Sequence, residues 1–175
     1  VVETLFTLDA QYKPVPLLAE GHEAQDGGKR HVIRLRKGVR FHNGRELRAA
    51  DVKFAIDRAV NPETKHPYRT QYDVIQDVIV KDEYTVTVAL KKVDATFLYT
   101  MARQGSVIYP REAVDSLKSQ PLGTGPFTVA EWVRGDRIGL TRNKGYWVKG
   151  LPYLDKVTYR FIPDPNSALA ALKAG

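Results

Sequence analysis

A mixed α/β fold, of the α+β kind, is predicted by three features of this sequence. Ala49 to Val60 carries apolar residues at helical spacing. Val74 to Leu90 reads as a hairpin of two strands, and Phe127 to Arg142 as a second hairpin around a glycine turn. Strand signals dominate and short helices punctuate them. The chain has 175 residues, 43% hydrophobic and 27% charged, which suits one large globular domain or two small ones.

Thr4 to Leu8 is a short strand candidate, followed by the proline-bearing Tyr12 to Pro16. In His31 to Arg36, residues His31, Ile33 and Leu35 share one face of a strand, and Val32, Arg34 and Arg36 share the other. Asn43-Gly44 marks a tight turn. In the helix, Val52, Ala55, Ile56, Ala59 and Val60 fall on one side, with Asp51, Lys53, Asp57 and Arg58 on the other. Asp51 suits the positive first turn. Asn61-Pro62 ends the helix, because a residue before proline disfavours helical geometry.

In the hairpin that follows, Tyr84, Val86, Val88 and Leu90 alternate as a β-branched apolar face around the turn Lys81-Asp82-Glu83. Asp94 can cap a short helix carrying Phe97, Leu98 and Met101. Val107 to Tyr109 is extended, and Pro110 is placed to open a helix to Lys118. Pro121-Leu122-Gly123-Thr124-Gly125-Pro126 is a dense break, read as a sharp crossing of the chain between layers. Two strands, Phe127 to Trp132 and Ile138 to Arg142, flank the turn Arg134-Gly135-Asp136. Leu154 to Ile162 is a further strand. Asp164 and Pro165 then begin a helix with Leu169 and Leu172 on one face and Gly175 at its C′ position.

Composition excludes several classes of function. With no cysteine there is no disulfide framework, no zinc ribbon and no thiol nucleophile. No apolar run approaches the ~18 residues that a membrane-spanning helix needs. The net charge of +7 raises the alternative of a free-standing basic interaction domain for nucleic acid or anionic lipid. The basic residues are dispersed, however, and the densest stretch, Lys29 to Arg40, is one polar face of a strand.

Candidate chemistry is sparse. His22, His31, His42 and His66 never pair at helical metal-ligand spacing. His31, on an apolar strand face, reads as a hydrogen-bonded core residue. Gly123-Thr124-Gly125 lacks the lysine of a phosphate loop, and Pro126 removes a donor where a phosphate needs one. Arg134-Gly135-Asp136 is simply a turn. No nucleophile elbow and no paired carboxylates are present, so no enzyme is indicated. Aromatic residues crowd the C-terminal third. Trp132 and Tyr159 are expected in the core, whereas Tyr68 sits in a loop where its ring can face a ligand.

The ordered series of motifs resembles the extracellular solute-binding proteins of peptide-type ABC importers, the class of oligopeptide-, dipeptide- and nickel-binding proteins. The resemblance is carried by Leu5-Phe6-Thr7-Leu8-Asp9, by Leu35 through Gly44, and by Ala50-Asp51-Val52-Lys53-Phe54-Ala55. It continues in Asn61-Pro62-Glu63-Thr64, Gly123-Thr124-Gly125-Pro126-Phe127, Arg142-Asn143 with Tyr146-Trp147, and Leu154-Asp155-Lys156-Val157. It closes on Ile162-Pro163-Asp164 and Ala171 to Gly175. Each motif is weak alone; their order covers nearly the whole chain.

The resemblance implies a periplasmic-binding-protein-like fold: two α/β lobes on a hinge, with an additional domain on the first. Residues 1–109 correspond to that additional domain and 110–175 to part of the first ligand-binding lobe, with the second lobe absent. It implies an exported, monomeric, non-catalytic protein, periplasmic or at the cell surface. That protein needs no cofactor, and it delivers a peptide or related small solute to an ABC permease. Tyr68 matches a family tyrosine that approaches bound peptide. Gln104 and Ser106 lie in a segment, Arg103 to Ser106, that lines the cleft in relatives, and Gly123 and Thr124 are expected near the same wall. Tyr109 stands where relatives often have a small polar residue, and Gly21-His22 replaces a common Ser-Trp.

Overall fold

The computed structural model describes residues 1–174. Its strands are β1 (Glu3–Thr4), β2 (Phe6–Leu8), β3 (Pro14–Pro16), β4 (Ala19–Gln25), β5 (Arg30–Leu35), β6 (Ile75–Asp82) and β7 (Thr85–Leu90). They continue with β8 (Val107–Ile108), β9 (Phe127–Val133), β10 (Arg137–Arg142) and β11 (Lys156–Arg160). The α-helices are α1 (Ala49–Val60), α2 (Phe97–Ala102) and α3 (Pro165–Ala174).

The main core lies under a four-stranded antiparallel sheet ordered β4-β5-β7-β6. Its inner strands, β5 and β7, hold Ile33, Val86 and Val88 fully buried, as the alternation predicts. Helix α1 covers this sheet with Val52, Ala55, Ile56 and Ala59, all buried. Full burial of a Val or Ile contributes about 1.5–3 kcal/mol, so this stripe fixes the helix in place. Lys53 Nζ also donates to the Val78 carbonyl at 2.8 Å.

The start of α1 is tied by charge. Asp51 accepts the Arg48 backbone N–H at 2.9 Å, and Arg45 grips both of its oxygens, at 2.6 and 3.1 Å. Arg45 Nε reaches on to Glu112 at 2.7 Å. The helix ends at Asn61, whose backbone turns extended before Pro62.

Helix α2 packs against the β2–β3 hairpin, and β1 pairs antiparallel with β8, Glu3 opposite Ile108. Beyond β8 the chain crosses under its own beginning. A Cβ on Gly123 or Gly125 would fall 2.5 or 2.7 Å from the Val1 carbonyl oxygen, so only glycine lets the strands of backbone pass. Gly125 N–H donates to that oxygen at 2.8 Å, and His42 is held at both its backbone N–H and its ring by the carbonyls of Gly123 and Gly125. The last third forms a three-stranded antiparallel sheet ordered β11-β10-β9, whose β9–β10 turn places Gly135 at φ 78°. Asp164 caps α3 by accepting the Ser167 N–H at 2.6 Å.

Four expectations are corrected. No helix runs from Pro110 to Lys118: one 3-10 turn, Arg111–Ala113, gives way to irregular turns. There Ser116 Oγ donates to the Ala113 carbonyl at 3.0 Å, the local bonding that lets serine compete with a helix. The strand read over Thr4 to Leu8 is interrupted at Leu5. Strands β3 and β4 were not expected, since two prolines and the run Ala-Glu-Gly-His-Glu-Ala-Gln carry little β propensity. Both lie at sheet edges, where such sequences are tolerated. Finally, Trp132 and Tyr159 are not core: they flank Ile138 on one face of the β9–β11 sheet and are 41% and 58% exposed. The expected C′ position, Gly175, lies outside the described residues.

Candidate functional site

Tyr68 stands on the loop that follows α1, one residue before the 3-10 turn Arg69–Tyr72. Its ring rests on the backbone of Gly105: a Cβ there would lie 2.8 Å from Tyr68 Cδ2. Beneath it, Tyr72 is fully buried, with its hydroxyl 2.7 Å from Ser106 Oγ. Ser106 gives its one proton to the Thr100 carbonyl, so Tyr72 is the donor to Ser106. Burial raises the Tyr72 pKa, and the phenol stays neutral. This chain of bonds locks the Arg103–Ser106 segment to the loop that carries Tyr68.

The ring divides two concavities. On one side lies a cavity of about 230 Å³, with Arg58, His66, Gln104, Ser106 and Tyr109 among its walls. On the other is a groove of about 340 Å³, lined by Leu8, Gln71, Ala102, Arg103 and Gln104. No aspartate or glutamate lines either space. His66 Nδ1 accepts the Tyr68 backbone N–H at 3.3 Å, and its ring meets Tyr72 edge-on. Burial pulls the His66 pKa below the ordinary value; a Gly105 backbone contact raises it and the Arg58 charge lowers it further.

Of the residues singled out from sequence, Tyr68, Gln104 and Ser106 therefore surround one cavity. Gly123 and Thr124 lie elsewhere and line neither space. Thr124 is fully buried, and its hydroxyl donates to Glu3 Oε2 at 2.8 Å. The same carboxylate accepts Tyr146 O–H at 2.7 Å and Trp147 Nε1–H at 3.0 Å. Glu3 is thus a buried anion held by three neutral donors, joining β1 to the chain beyond Pro121. Burial and the bond to Glu3 push the Tyr146 pKa well above the ordinary phenol value.

Two groupings escaped the sequence reading. Glu3 is a lone acid within the apolar run Val1 to Phe6, and that was the available signal. His22 Nε2 lies 2.8 Å from His31 Nδ1, while His31 Nε2 meets the Gly28 carbonyl at 3.1 Å. The pairing needs β4, which propensity hid. Among the described residues no three His, Asp or Glu side chains converge as a metal site.

This architecture is shared with known proteins. The family model described as bacterial extracellular solute-binding proteins, family 5 Middle, matches residues 13–175, and the chain belongs to that family. The oligopeptide-binding protein AppA of Bacillus subtilis is 36% identical over 169 residues, covering 90% of this chain and 31% of its own. The glutathione-binding protein GsiB of Salmonella choleraesuis is 34% identical over 175 residues, covering 98% of this chain and 34% of its own. Among solved structures, AgaA from A. tumefacien in complex with agropinic acid superposes with a TM-score of 0.94 at 32% identity, over 100% of this chain and 36% of that one. AppA in complex with a nonapeptide gives a TM-score of 0.92 at 33% identity, again over 100% and 36%. The chain thus spans about a third of the length of these relatives.

Proposed function

We propose that this chain is part of the solute-binding component of an ABC importer. That component holds a peptide or related small solute outside the cytoplasmic membrane and passes it to a membrane permease. The match of residues 13–175 to a family of extracellular solute-binding proteins carries this reading. The names of the relatives, binders of oligopeptides, glutathione and agropinic acid, support a small polar solute over nucleic acid or lipid. The protein has no catalytic role in this reading and acts as a monomer.

Within it, residues 1–109 form the additional domain and residues 110–175 part of the first ligand-binding lobe. Tyr68, with Gln104 and Ser106, faces the solute, and closure of a second lobe over this wall selects the state that the permease reads. A solute held from one side keeps much of its hydration, so the 175-residue chain alone should bind peptides weakly or not at all. Calorimetry against a mixed library of di- to pentapeptides tests this, and micromolar binding by the isolated chain would contradict the two-lobed reading. In the longer protein, Tyr68→Ala should weaken solute binding about tenfold or more, as loss of an aromatic anchor does. Unchanged affinity would remove Tyr68 from the site.

A further inference from the structure

We propose that the cavity beside Tyr68 receives a carboxylate of the solute, with Arg58 as its counter-ion. This rests on the solute-binding reading above and narrows it to a ligand class.

Arg58 is half-buried in the last turn of α1 and forms part of the cavity wall. Its Nη1 donates to the Tyr109 hydroxyl at 3.4 Å, a long and neutral contact. Among the described residues Arg58 has no carboxylate in ion-pair reach, a condition it shares with exposed arginines such as Arg34, Arg103 and Arg134; it differs from them in being half-buried in the wall of a cavity. The end of a helix favours a cation, yet that dipole leaves the guanidinium head without an anion. The rest of the wall adds donors rather than acids. Tyr109 accepts from Arg58 and so keeps its own proton to give. His66 adds no free donor, since its Nδ1 is engaged by Tyr68 N–H and its ring also contacts the Gly105 backbone. Gln104 contributes an amide.

The space is also of the right size. About 230 Å³ lies below the ~300–1,000 Å³ of a pocket that encloses a whole ligand, which suits a carboxylate on a short carbon chain better than a peptide. Ile56, Met101 and Leu117 give that carbon chain an apolar floor. A neutral or cationic end placed here would displace water from Arg58 without replacing its hydrogen bonds.

The test is a side-chain and backbone ¹⁵N titration of the 175-residue chain with acetate and, at matched ionic strength, acetamide. The expected result is a saturating shift of the Arg58 Nε–H and Gly105 N–H resonances with acetate and none with acetamide. In Arg58→Gln the Gly105 response to acetate should weaken about tenfold, the usual scale for losing a charge-assisted pair. Tyr109→Phe, which keeps the ring and therefore the fold, should weaken it by a smaller factor. Equal shifts from both probes, or an Arg58→Gln response like that of the parent, overturn the proposal. Should Arg58→Gln not fold, an undiminished response in Tyr109→Phe overturns it instead. Calorimetry on the longer protein separates the two readings. If peptides bind there while acetate leaves Arg58 unmoved, the carboxylate subsite alone fails. If no solute binds at all, the parent reading fails and takes the subsite with it.

Discussion

Glu3 is the buried acid that ties the start of the chain to its last third. Three neutral donors replace the water it gave up, and the Val1 ammonium lies near enough to feel its charge. Removing it strands Thr124, Tyr146 and Trp147 with unmet hydrogen bonds, each worth about 1–3 kcal/mol when buried. Glu3→Ala should therefore destabilise the fold by about 2–4 kcal/mol in urea unfolding, and Glu3→Gln by less. A change within about 0.5 kcal/mol would show that water reaches those donors. The histidines supply a second test. Burial lowers the pKa of His22, His31, His42 and His66 alike, and in His22 the neighbouring His31 lowers it further. The unfolded chain therefore binds protons more readily than the native one. Stability should be full above about pH 6.5, the unfolded histidine value, and should decline as pH falls through the lower native values. The pair adds a specific reason. Either ring can donate across this contact while the other accepts, but protonating both sets two N–H groups face to face at 2.8 Å. Asp94 partly offsets this by its charge, and Phe6 and Phe97 wall the two rings. Replacing His31 by Leu should flatten the slope of the urea midpoint between about pH 7.5 and about pH 5.5; an unaltered slope would place the acid sensitivity elsewhere.

Among the elements, those with strong periodicity were legible and those made by context were not. Helix α1 matches its sequence expectation at both ends, because an apolar stripe, an acidic first turn and Asn61-Pro62 all agree. The β6–β7 and β9–β10 hairpins follow for the same reason. Strands β3 and β4 form because partners offer open edges, information that lies in β2 and β5 rather than in their own residues. The segment after Pro110 shows the converse, as serines bonding to nearby carbonyls override a promising first turn. The candidate site divides in the same way. Tyr68 was visible as a loop aromatic, but Arg58 read only as one residue of a polar helix face. Nothing local reveals that a loop fifty residues onward will wall it in. The crossing at Gly123-Thr124-Gly125 was legible as a break, while its reason, the passing Val1 carbonyl, was not. Gly123→Ala must displace that backbone and should cost about 1–3 kcal/mol, the range for overpacking, read as a lower melting temperature. No loss would mean that the two segments can separate freely.

For the molecule as a whole, apolar surface is unevenly spent. The four-stranded sheet and α1 enclose an apolar core, yet Trp132, Tyr159, Phe161, Leu169 and Leu172 remain substantially exposed in the last third. In the β9–β11 sheet, Trp132, Ile138 and Tyr159 form one row across the three strands, so the uncovered residues share a face. The isolated chain should therefore enhance the emission of a hydrophobic dye while natively folded. Tyr159→Lys combined with Trp132→Lys should remove most of that enhancement, with the far-ultraviolet circular dichroism unchanged. Dye binding that survives the double change would locate the sticky surface elsewhere.

The antiparallel contact of β1 with β8 sets Glu3 beside Ile108 and Thr4 beside Val107. Everything between departs from and returns to a single point. A segment with such adjacent ends adds bulk without adding reach, since a short turn between β1 and β8 would bridge them. What ties it further to the chain beyond β8 includes side-chain contacts, His42 to Gly125 and Arg45 to Glu112, so such contacts and not the path of the chain limit how far its walls can change.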